Sequence, residues 1–536
     1  MHNLDPYLDE LLKPEILKEI YCEYKFTKID RMMASENGFQ DIFLISGEER
    51  LERVFNIKDS QVVKIPLGSD GITFESFEKN FDNYSKGIIK RLKTGKYIFK
   101  PFREVLVIKD QDRLEFPRKK DYLREMEKGN TRSLAICAIQ DMIVQLIIYR
   151  LIYDIIEKEF EVFDKRKKNK IKPVSYAYRK KKSTMDAASS VLEYSKLGYT
   201  YVLEADLKKF FDTIPWKPLE HEISRYIDAN SRVFKILHRF MHVNMIEFMS
   251  YKYDKRINFK TMNPYSKEAN LKMLKRTAGV PQGGVLSGLL ANLYMHRFDE
   301  WVVRVLKKDF DIQYVRYADD FVILARSEQD AEDAYYRVYE FINKLYAEGG
   351  MELKLYPLSE SINSKTKITN LNLNYIKFVG FNINTKTILI SHSNIKKFKN
   401  KWNRKMIDAH KHFGSFSDPR FRLRLTLQRV INFRVDGVSY YETCQKCGQT
   451  YLKRRNWIKY FCRISNMNQI KRLNNWIKKR LYHEFDDINN LNVEELKTLG
   501  FSSLVKAYYR GKFYMECDHQ TQSIEVHEQN DSQLPF

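Results

Sequence analysis

Two adjacent aspartates, Asp319 and Asp320, stand inside the apolar and aromatic run YVRYADDFVIL, residues 314–324. The flanking segments IQYVRY and FVILA each read as strand, so the natural geometry is a hairpin whose turn carries both carboxylates. Neighbours on an ideal strand point to opposite faces, and a turn relaxes that rule. Two carboxylates this close repel unless a proton or a metal ion intervenes. Magnesium, a hard cation satisfied by a few carboxylates plus phosphate oxygens, suits them. A third carboxylate, Asp206, ends the strand-like run YVLEAD. Three aspartates from two strand ends can hold two divalent ions about 3.5 to 4 Å apart, one activating an attacking hydroxyl and the other stabilising a leaving pyrophosphate. The chemistry they suggest is nucleotidyl transfer.

Between these carboxylates lies AGVPQGGVLSGLLANLYMHRFDE, residues 278–300. Pro281 fixes φ, Gly283 and Gly284 let the backbone approach a bound group, and a helical pattern follows with Ser287, Asn292 and Asp299 among Leu, Ala and Tyr. Such a turn can set Gln282 and backbone N–H groups against a nucleotide or a template strand. A structural helix with a glycine-rich entry is the plainer alternative.

The elements that must position these groups can be read around them. From about 199 to 383, short strand-like segments (YTYVLEADL, IQYVRY, FVILA, IKFVGFNI) alternate with helical ones, which predicts an α/β or α+β body. Upstream, SLAICAIQDMIVQLIIYRLIYDIIEKEFEVF reads as one long helix, too apolar for a surface position. DPYLDELLKPEILKEIYCEY reads as an opening helix. DKRKKNKIKPVSYAYRKKKS reads as a basic loop and helix start near a phosphate backbone, or as a solvated charge run.

The chain has 536 residues, enough for two to four domains, and a formal net charge of +24, which favours a polyanionic partner, nucleic acid before acidic small molecules. Residues 391–480 hold 23 Lys plus Arg against 4 Asp plus Glu, a net of +19, with Trp457, Tyr460, Phe461 and Trp476 interleaved. That composition suits a groove tracking a sugar-phosphate backbone. The opening residues lack the apolar core of a signal peptide and no window reaches a membrane span, so a cytoplasmic location and no membrane partner are expected. Six cysteines argue against a disulfide scaffold. Cys444 and Cys447 have metal-ligand spacing, with Cys462 further on, which is compatible with a structural zinc site or with a simple turn bearing reduced thiols.

ADLKKFFD, GVPQGGVLSGLLANLYMHRFD, YVRYADD and IKFVGF resemble, in order, the four principal palm motifs of reverse transcriptases, particularly those of bacterial group II intron proteins and their domesticated relatives. RSLAI and SYAYRKKKS resemble that family's finger sequences, and NWIKYF and LNNWIKKRL its thumb or maturase region. The likeness covers roughly residues 98–485. It implies an α+β right-hand polymerase with fingers, a palm of antiparallel sheet plus helices, and a helical, basic thumb. The expected division is 1–97 as an N-terminal helical region, 98–198 as fingers, 199–383 as palm with embedded finger elements, 384–485 as a basic thumb or maturase-like RNA-binding region, and 486–536 as an extension and acidic tail.

By the same resemblance, Asp206, Asp319 and Asp320 match the catalytic, magnesium-binding triad, with backbone at Leu207 beside the two ions. Phe211 falls at the aromatic steric gate that excludes a ribose 2′-OH. Gln282 and Gly283 match the motif against the incoming nucleotide, Arg132 and Lys128 the finger cations on the triphosphate, and Lys365 the lysine that protonates pyrophosphate, with Lys367 an equally available cation. Arg179, Arg454, Arg455, Trp457, Lys478 and Lys479 are the nucleic-acid contacts expected. The implied function is an RNA-directed DNA polymerase that joins deoxynucleoside triphosphates on an RNA template and releases a DNA product. The template expected is a dedicated structured noncoding RNA, copied in antiviral defence.

The chain departs from the family where Arg-Pro-Leu reads Arg132-Ser133-Leu134 and Gly-Phe reads Ala177-Tyr178, and no nuclease motif follows residue 485. These departures suggest a specialised enzyme more than a mobile-intron protein. The alternatives are an intron maturase or RNA chaperone and a template-independent nucleotidyltransferase. Homo-oligomerisation and priming from a tail tyrosine such as Tyr508, Tyr509 or Tyr514 stay open.

Overall fold

The computed structural model describes residues 1–29, 38–58, 68–109, 117–167, 170–254, 271–359, 365–435, 438–443, 450–485 and 491–513. The chain divides into two compact units, one of Met1–Asp30, Phe55–Ile407 and Arg463–Gln469, the other of Arg31–Val54, Asp408–Cys462 and Ile470–Phe536. Asp206, Asp319 and Asp320 all belong to the first.

At the centre of the first unit a four-stranded antiparallel sheet runs in the order Lys367–Asn370, Tyr201–Ala205, Asp320–Ala325, Ile312–Tyr317. Phe321 to Ala325 are buried without alternation, the pattern of a strand covered on both faces. Helix Glu328–Asn343 packs on this strand and on Tyr201–Ala205. From helix Val285–Trp301, Phe298 meets Phe321 with ring centroids 5.0 Å apart, and Trp301 stacks on Phe341 at 4.3 Å. Each such large apolar side chain contributes about 1.5–3 kcal/mol on burial. Helix Val285–Trp301, buried almost throughout, lies in turn against the apolar helix Ile139–Glu161. The result is the expected α+β body, an antiparallel sheet backed by helices.

A second four-stranded sheet has the order Thr131–Ile136, Phe102–Ile108, Met245–Ile246, Met273–Leu274. It corrects the reading of SLAICA as helix. Residues 131–136 pair with Phe102–Ile108 as a strand, and only after Cys137 does the helix Ile139–Glu161 begin. An apolar run of this length carries no periodicity that separates strand from helix, and the pairing partner decides. The opening segment is likewise two helices, Asp5–Leu11 and Pro14–Lys28, because Pro14 cannot continue the first but suits the first turn of the second.

IKFVGFNI is a hairpin of Ile376–Phe378 and Phe381–Ile383, turning through Val379 and Gly380, both at positive φ. In the basic segment, Lys165–Lys167 and Lys170–Lys172 form a short hairpin, and the expected helix start is found at Ser183, whose hydroxyl accepts from Asp186 N–H at 3.1 Å.

In the second unit, strands Val438–Thr443 and Thr450–Arg455 pair antiparallel. Helix Leu504–Phe513 packs on the short helical turn Ile458–Phe461. The cut at Ile407 falls within helix His392–Phe413, so the change in charge at residue 384 precedes the unit boundary. Among the described residues no helix is long and apolar enough to cross a membrane.

Candidate active site

The hairpin that carries the paired aspartates is tighter than its sequence suggested. Tyr317 pairs with Asp320, so the two-residue turn is Ala318–Asp319, and Asp320 is already the first residue of the next strand. Ala318 takes φ +61°, a left-handed conformation a side chain disfavours by about 1–2 kcal/mol. Its carbonyl is held by Arg316 Nη1 at 2.9 Å. Arg316 is fully buried beneath the turn, with Nε donating to Asp299 Oδ1 at 2.7 Å and Nη1 to Asn292 Oδ1 at 2.7 Å. Tyr314 OH adds a bond to Asp299 Oδ1 at 2.9 Å. Burial alone would push the Asp299 carboxyl up, but the charge and hydrogen bonds of Arg316, with help from His296, hold it below the usual range. Asn292 also donates to Ala177 O at 3.1 Å, tying the helix after the glycine-rich turn to the segment around Ala177 and Tyr178.

Asp206 follows the strand Tyr201–Ala205, which pairs with Asp320–Ala325 through Ala205 and Phe321, so register alone brings the third carboxylate beside the turn. Burial and the charge of Asp206 raise Asp319, with Arg132 and Arg316 opposing. Partial burial and then the charges of Asp319, Asp206 and Glu204 push Asp320 up to about 7. Three carboxylates that repel one another, offset by the cations Lys365 and Arg132, present the hard oxygen donors that suit divalent magnesium. Leu207 is bridged to Leu355, and the adjoining chain is pinned by Tyr356 N–H to Asp206 O at 3.1 Å and Lys208 N–H to Lys354 O at 2.8 Å.

Of the two lysines, it is Lys365 whose ammonium reaches the triad, 3.2 Å from Asp206 Oδ2, while also donating to Tyr356 OH at 3.2 Å. Burial would lower Lys365, yet Tyr356 and Asp206 outweigh it and its pKa is raised. Lys367 stands opposite Glu204 in the sheet, its ammonium 3.7 Å from that carboxylate.

The glycine-rich turn is stitched to both neighbours by backbone. Gln282 O accepts from Ala135 N–H at 2.6 Å, and Phe211 O accepts from Val280 N–H at 2.8 Å. Gly283 has φ +108°, and a Cβ there would lie 2.8 Å from Ala135 O. The Phe211 ring meets Tyr178 edge-on at 6.4 Å. Tyr178 itself covers Gly288, where a Cβ would fall 2.5 Å from Cδ1 of the tyrosine. Burial and the Asp319 charge raise the Tyr178 hydroxyl. Arg132, exposed on the strand Thr131–Ile136, acts electrostatically on Asp319 and Asp320. Thus Asp206, Asp319, Asp320, Arg132, Phe211, Gln282, Gly283 and Lys365 belong to one neighbourhood.

Other expected residues are elsewhere. Lys128, at the end of helix Lys119–Glu127, turns its ammonium to Glu125 at 3.5 Å. Arg179 corrects its expectation as a nucleic-acid contact. Its side chain is fully buried, bonded to Glu157 at 3.0 Å, to Asp164 at 2.9 Å and to Ser175 O at 2.9 Å, so no face is left for phosphate. In the second unit Trp457 is half-buried against Phe461, and on helix Asn468–Glu484 Lys478 is half-buried and Lys479 exposed. The backbone of Arg454 and Arg455 lies in the strand Thr450–Arg455. Cys444 and Cys447 lie outside the described residues, and Cys462 is half-buried and forms no disulfide with another described cysteine. Among the described residues no cluster of metal-ligating side chains includes it. Tyr508 is buried, which removes it as a priming hydroxyl, and Tyr514 is outside the described residues.

Sequence reasoning missed Arg316 and Tyr178 as site-forming residues. The signal for Arg316 was there, a charged residue at a strand position whose neighbours are all apolar or aromatic. Tyr178 carried no signal beyond its departure from phenylalanine.

Residues 118–383 match the family model for reverse transcriptase (RNA-dependent DNA polymerase). An uncharacterized 91 kDa protein in the cob intron of Schizosaccharomyces pombe is 26% identical over 242 residues, 45% of this chain and 22% of that protein. The group II intron-encoded protein LtrA of Lactococcus lactis is 24% identical over 241 residues, 45% of this chain and 34% of LtrA. Protein YkfC of Escherichia coli is 24% identical, over 49% of this chain and 66% of its own. The chain therefore spans about a fifth to two thirds of the relatives it matches. A solved telomerase of Candida Tropicalis with a telomeric RNA fragment aligns at 13% identity over 84% of this chain and 69% of that one, with a TM-score of 0.38, too low to bear on the fold.

Proposed function

We propose, from the premise that residues 118–383 are a reverse transcriptase domain related to those of group II intron proteins, that the protein is an RNA-directed DNA polymerase. The observation that carries this reading is the convergence of Asp206, Asp319 and Asp320 at one sheet end, with the lysine, arginine and glycine-rich turn that nucleotide transfer needs around them. Asp206, Asp319 and Asp320, with backbone at Leu207, would hold two magnesium ions, which when bound lower the pKa of the primer hydroxyl and offset charge on the phosphates.

The chain's own residues do the rest. Arg132 neutralises triphosphate oxygens, which positions the nucleotide without covalent chemistry. Phe211, braced by Tyr178, closes the space of a 2′-OH and favours deoxynucleotides. Gln282 and the backbone of Gly283 lie against the nucleotide and template. Lys365, already hydrogen-bonded beside Asp206, donates its proton to the departing pyrophosphate. Arg316 holds the Ala318–Asp319 turn and acts as a positioning residue. The basic residues of the second unit, Lys479 among them, carry the nucleic acid through phosphate contacts.

The natural template we infer is a dedicated noncoding RNA copied in phage defence, a setting supported by the sequence resemblance alone. A pure Asp319→Ala/Asp320→Ala protein should lose divalent-dependent incorporation of deoxynucleotides on an RNA template, and persistent incorporation would sink the polymerase reading. A second reading, an intron maturase, is favoured by the group II intron relatives and predicts cognate splicing that survives loss of the triad. Sequencing the RNA that co-purifies with the protein, together with its DNA product, tests the defence setting.

A further inference from the structure

Away from the carboxylate cleft, Glu220 on helix Trp216–Ser224 converges with His238 and His242 on and just after helix Arg232–Met241. The two histidines are four residues apart, the spacing that puts side chains on one helix face. Their rings lie nearly parallel, centroids 4.2 Å apart at 15°. Glu220 Oε1 reaches both, at 3.4 Å from His238 Nε2 and 3.0 Å from His242 Nε2. One ligand atom from each residue lies within 4.8 Å of the others.

A tetrahedral zinc ion, bonded to imidazole nitrogen and carboxylate oxygen at about 2.0–2.1 Å, keeps its ligand atoms about 3.3 Å apart. The two oxygen-to-nitrogen distances, 3.4 and 3.0 Å, bracket that separation, and all three ligand atoms lie within 4.8 Å of one another. The 3.0 Å contact between His242 Nε2 and Glu220 Oε1 is a hydrogen bond in the metal-free protein, and a metal ion would take its place by accepting a lone pair from the carboxylate and from each neutral ring. The site is also braced. Trp216 packs on the His242 ring at 3.9 Å, fixing its plane, and the same indole donates its N–H to Gly279 O at 2.7 Å.

We propose that Glu220, His238 and His242 form a binding site for a divalent transition-metal ion of the zinc class, with a fourth position open to water. Imidazole donors select against magnesium, so this site and the aspartate cleft take different cations. The bound ion ties the two helices together and steadies Trp216, and through it Gly279 at the entry to the glycine-rich turn.

The test uses the full-length protein stripped of metal with a chelator, titrated with Zn2+ against a chromophoric chelator and with Co2+ followed by its visible spectrum. Wild type should bind one equivalent more than the His238→Ala/His242→Ala variant. That equivalent should persist in a Cys444→Ser/Cys447→Ser variant and give Co2+ bands without sulfur charge transfer. Glu220→Gln, a gentler change, should weaken binding by at least the roughly 10–100-fold that outer partners of a metal typically contribute. Zinc should raise the melting temperature of wild type by more than that of the double histidine variant. Equal zinc stoichiometry and affinity in wild type and the histidine variant, or metal lost only on cysteine replacement, overturns the proposal.

Discussion

Replacing Arg316 by methionine removes one partner of an ion pair whose side chains are 0% and 2% exposed. It breaks the bonds to Asp299, to Asn292 and to Ala318 O, and leaves the buried Asp299 carboxylate with only Tyr314 OH and His296 beside it among the described residues. Removing one partner of a buried pair costs about 3–5 kcal/mol, most of it from the charge left behind. The sign with pH follows. In wild type Asp299 is held below its ordinary range by Arg316, so the stability it contributes is present above the unfolded pKa and is lost as pH falls through the folded one. In Arg316→Met the same carboxyl, buried without its partner, is raised, so its destabilisation is largest near neutrality and fades as pH falls toward the unfolded value of about 3.9. Urea denaturation of wild type and variant between neutral and acidic pH measures this directly. The gap should shrink with acidification, and Arg316→Met/Asp299→Leu should recover at least about 1 kcal/mol relative to the single variant. A gap below about 1 kcal/mol at neutrality, or one that grows on acidification, refutes the reasoning.

The remaining expectations concern the cleft. Phe211→Ala should erode discrimination against ribonucleotides by about 10–200-fold, the range for a lost apolar contact, read from competing incorporation of deoxy- and ribonucleoside triphosphates. Lys365→Gln should slow the chemical step by about 10²–10⁴-fold in single-turnover incorporation if it protonates pyrophosphate, whereas Lys367→Gln, facing Glu204, should change it little; equal effects would contradict the geometry. Gly288→Ala should destabilise by about 1–3 kcal/mol by driving a methyl into the Tyr178 ring, and Tyr178→Ser in the same chain should relieve much of that in thermal denaturation.

Much of the site was legible in the chain because its chemistry is local. Adjacent carboxylates in an apolar strand context, a third at another strand end and a Pro-Gln-Gly-Gly turn are short patterns, and each reads without knowledge of distant contacts. Position in the fold was less legible where one composition suits two partners. SLAICA became strand because Phe102–Ile108 lies alongside it, and Arg179, basic and preceding three lysines, became a core residue because Glu157 and Asp164 surround it. Lys365 and Lys367, indistinguishable in SKTKI, were separated by sheet register, which sets Lys367 opposite Glu204 and leaves Lys365 beyond the strand end at Asp206.

Residue order alone therefore pointed to nucleotidyl transfer, through Asp206, Asp319 and Asp320, and to the α+β alternation around them. Tertiary structure decided how the turn is held, by a buried Arg316 reaching across to Asp299 and Asn292. It also decided which cation faces the triad and which aromatic backs Phe211. The physical reason is that charge and turn propensity act over a few residues, whereas burial, register and ion-pair partner are settled between segments far apart in the chain, Glu204 and Thr369 standing 165 residues apart.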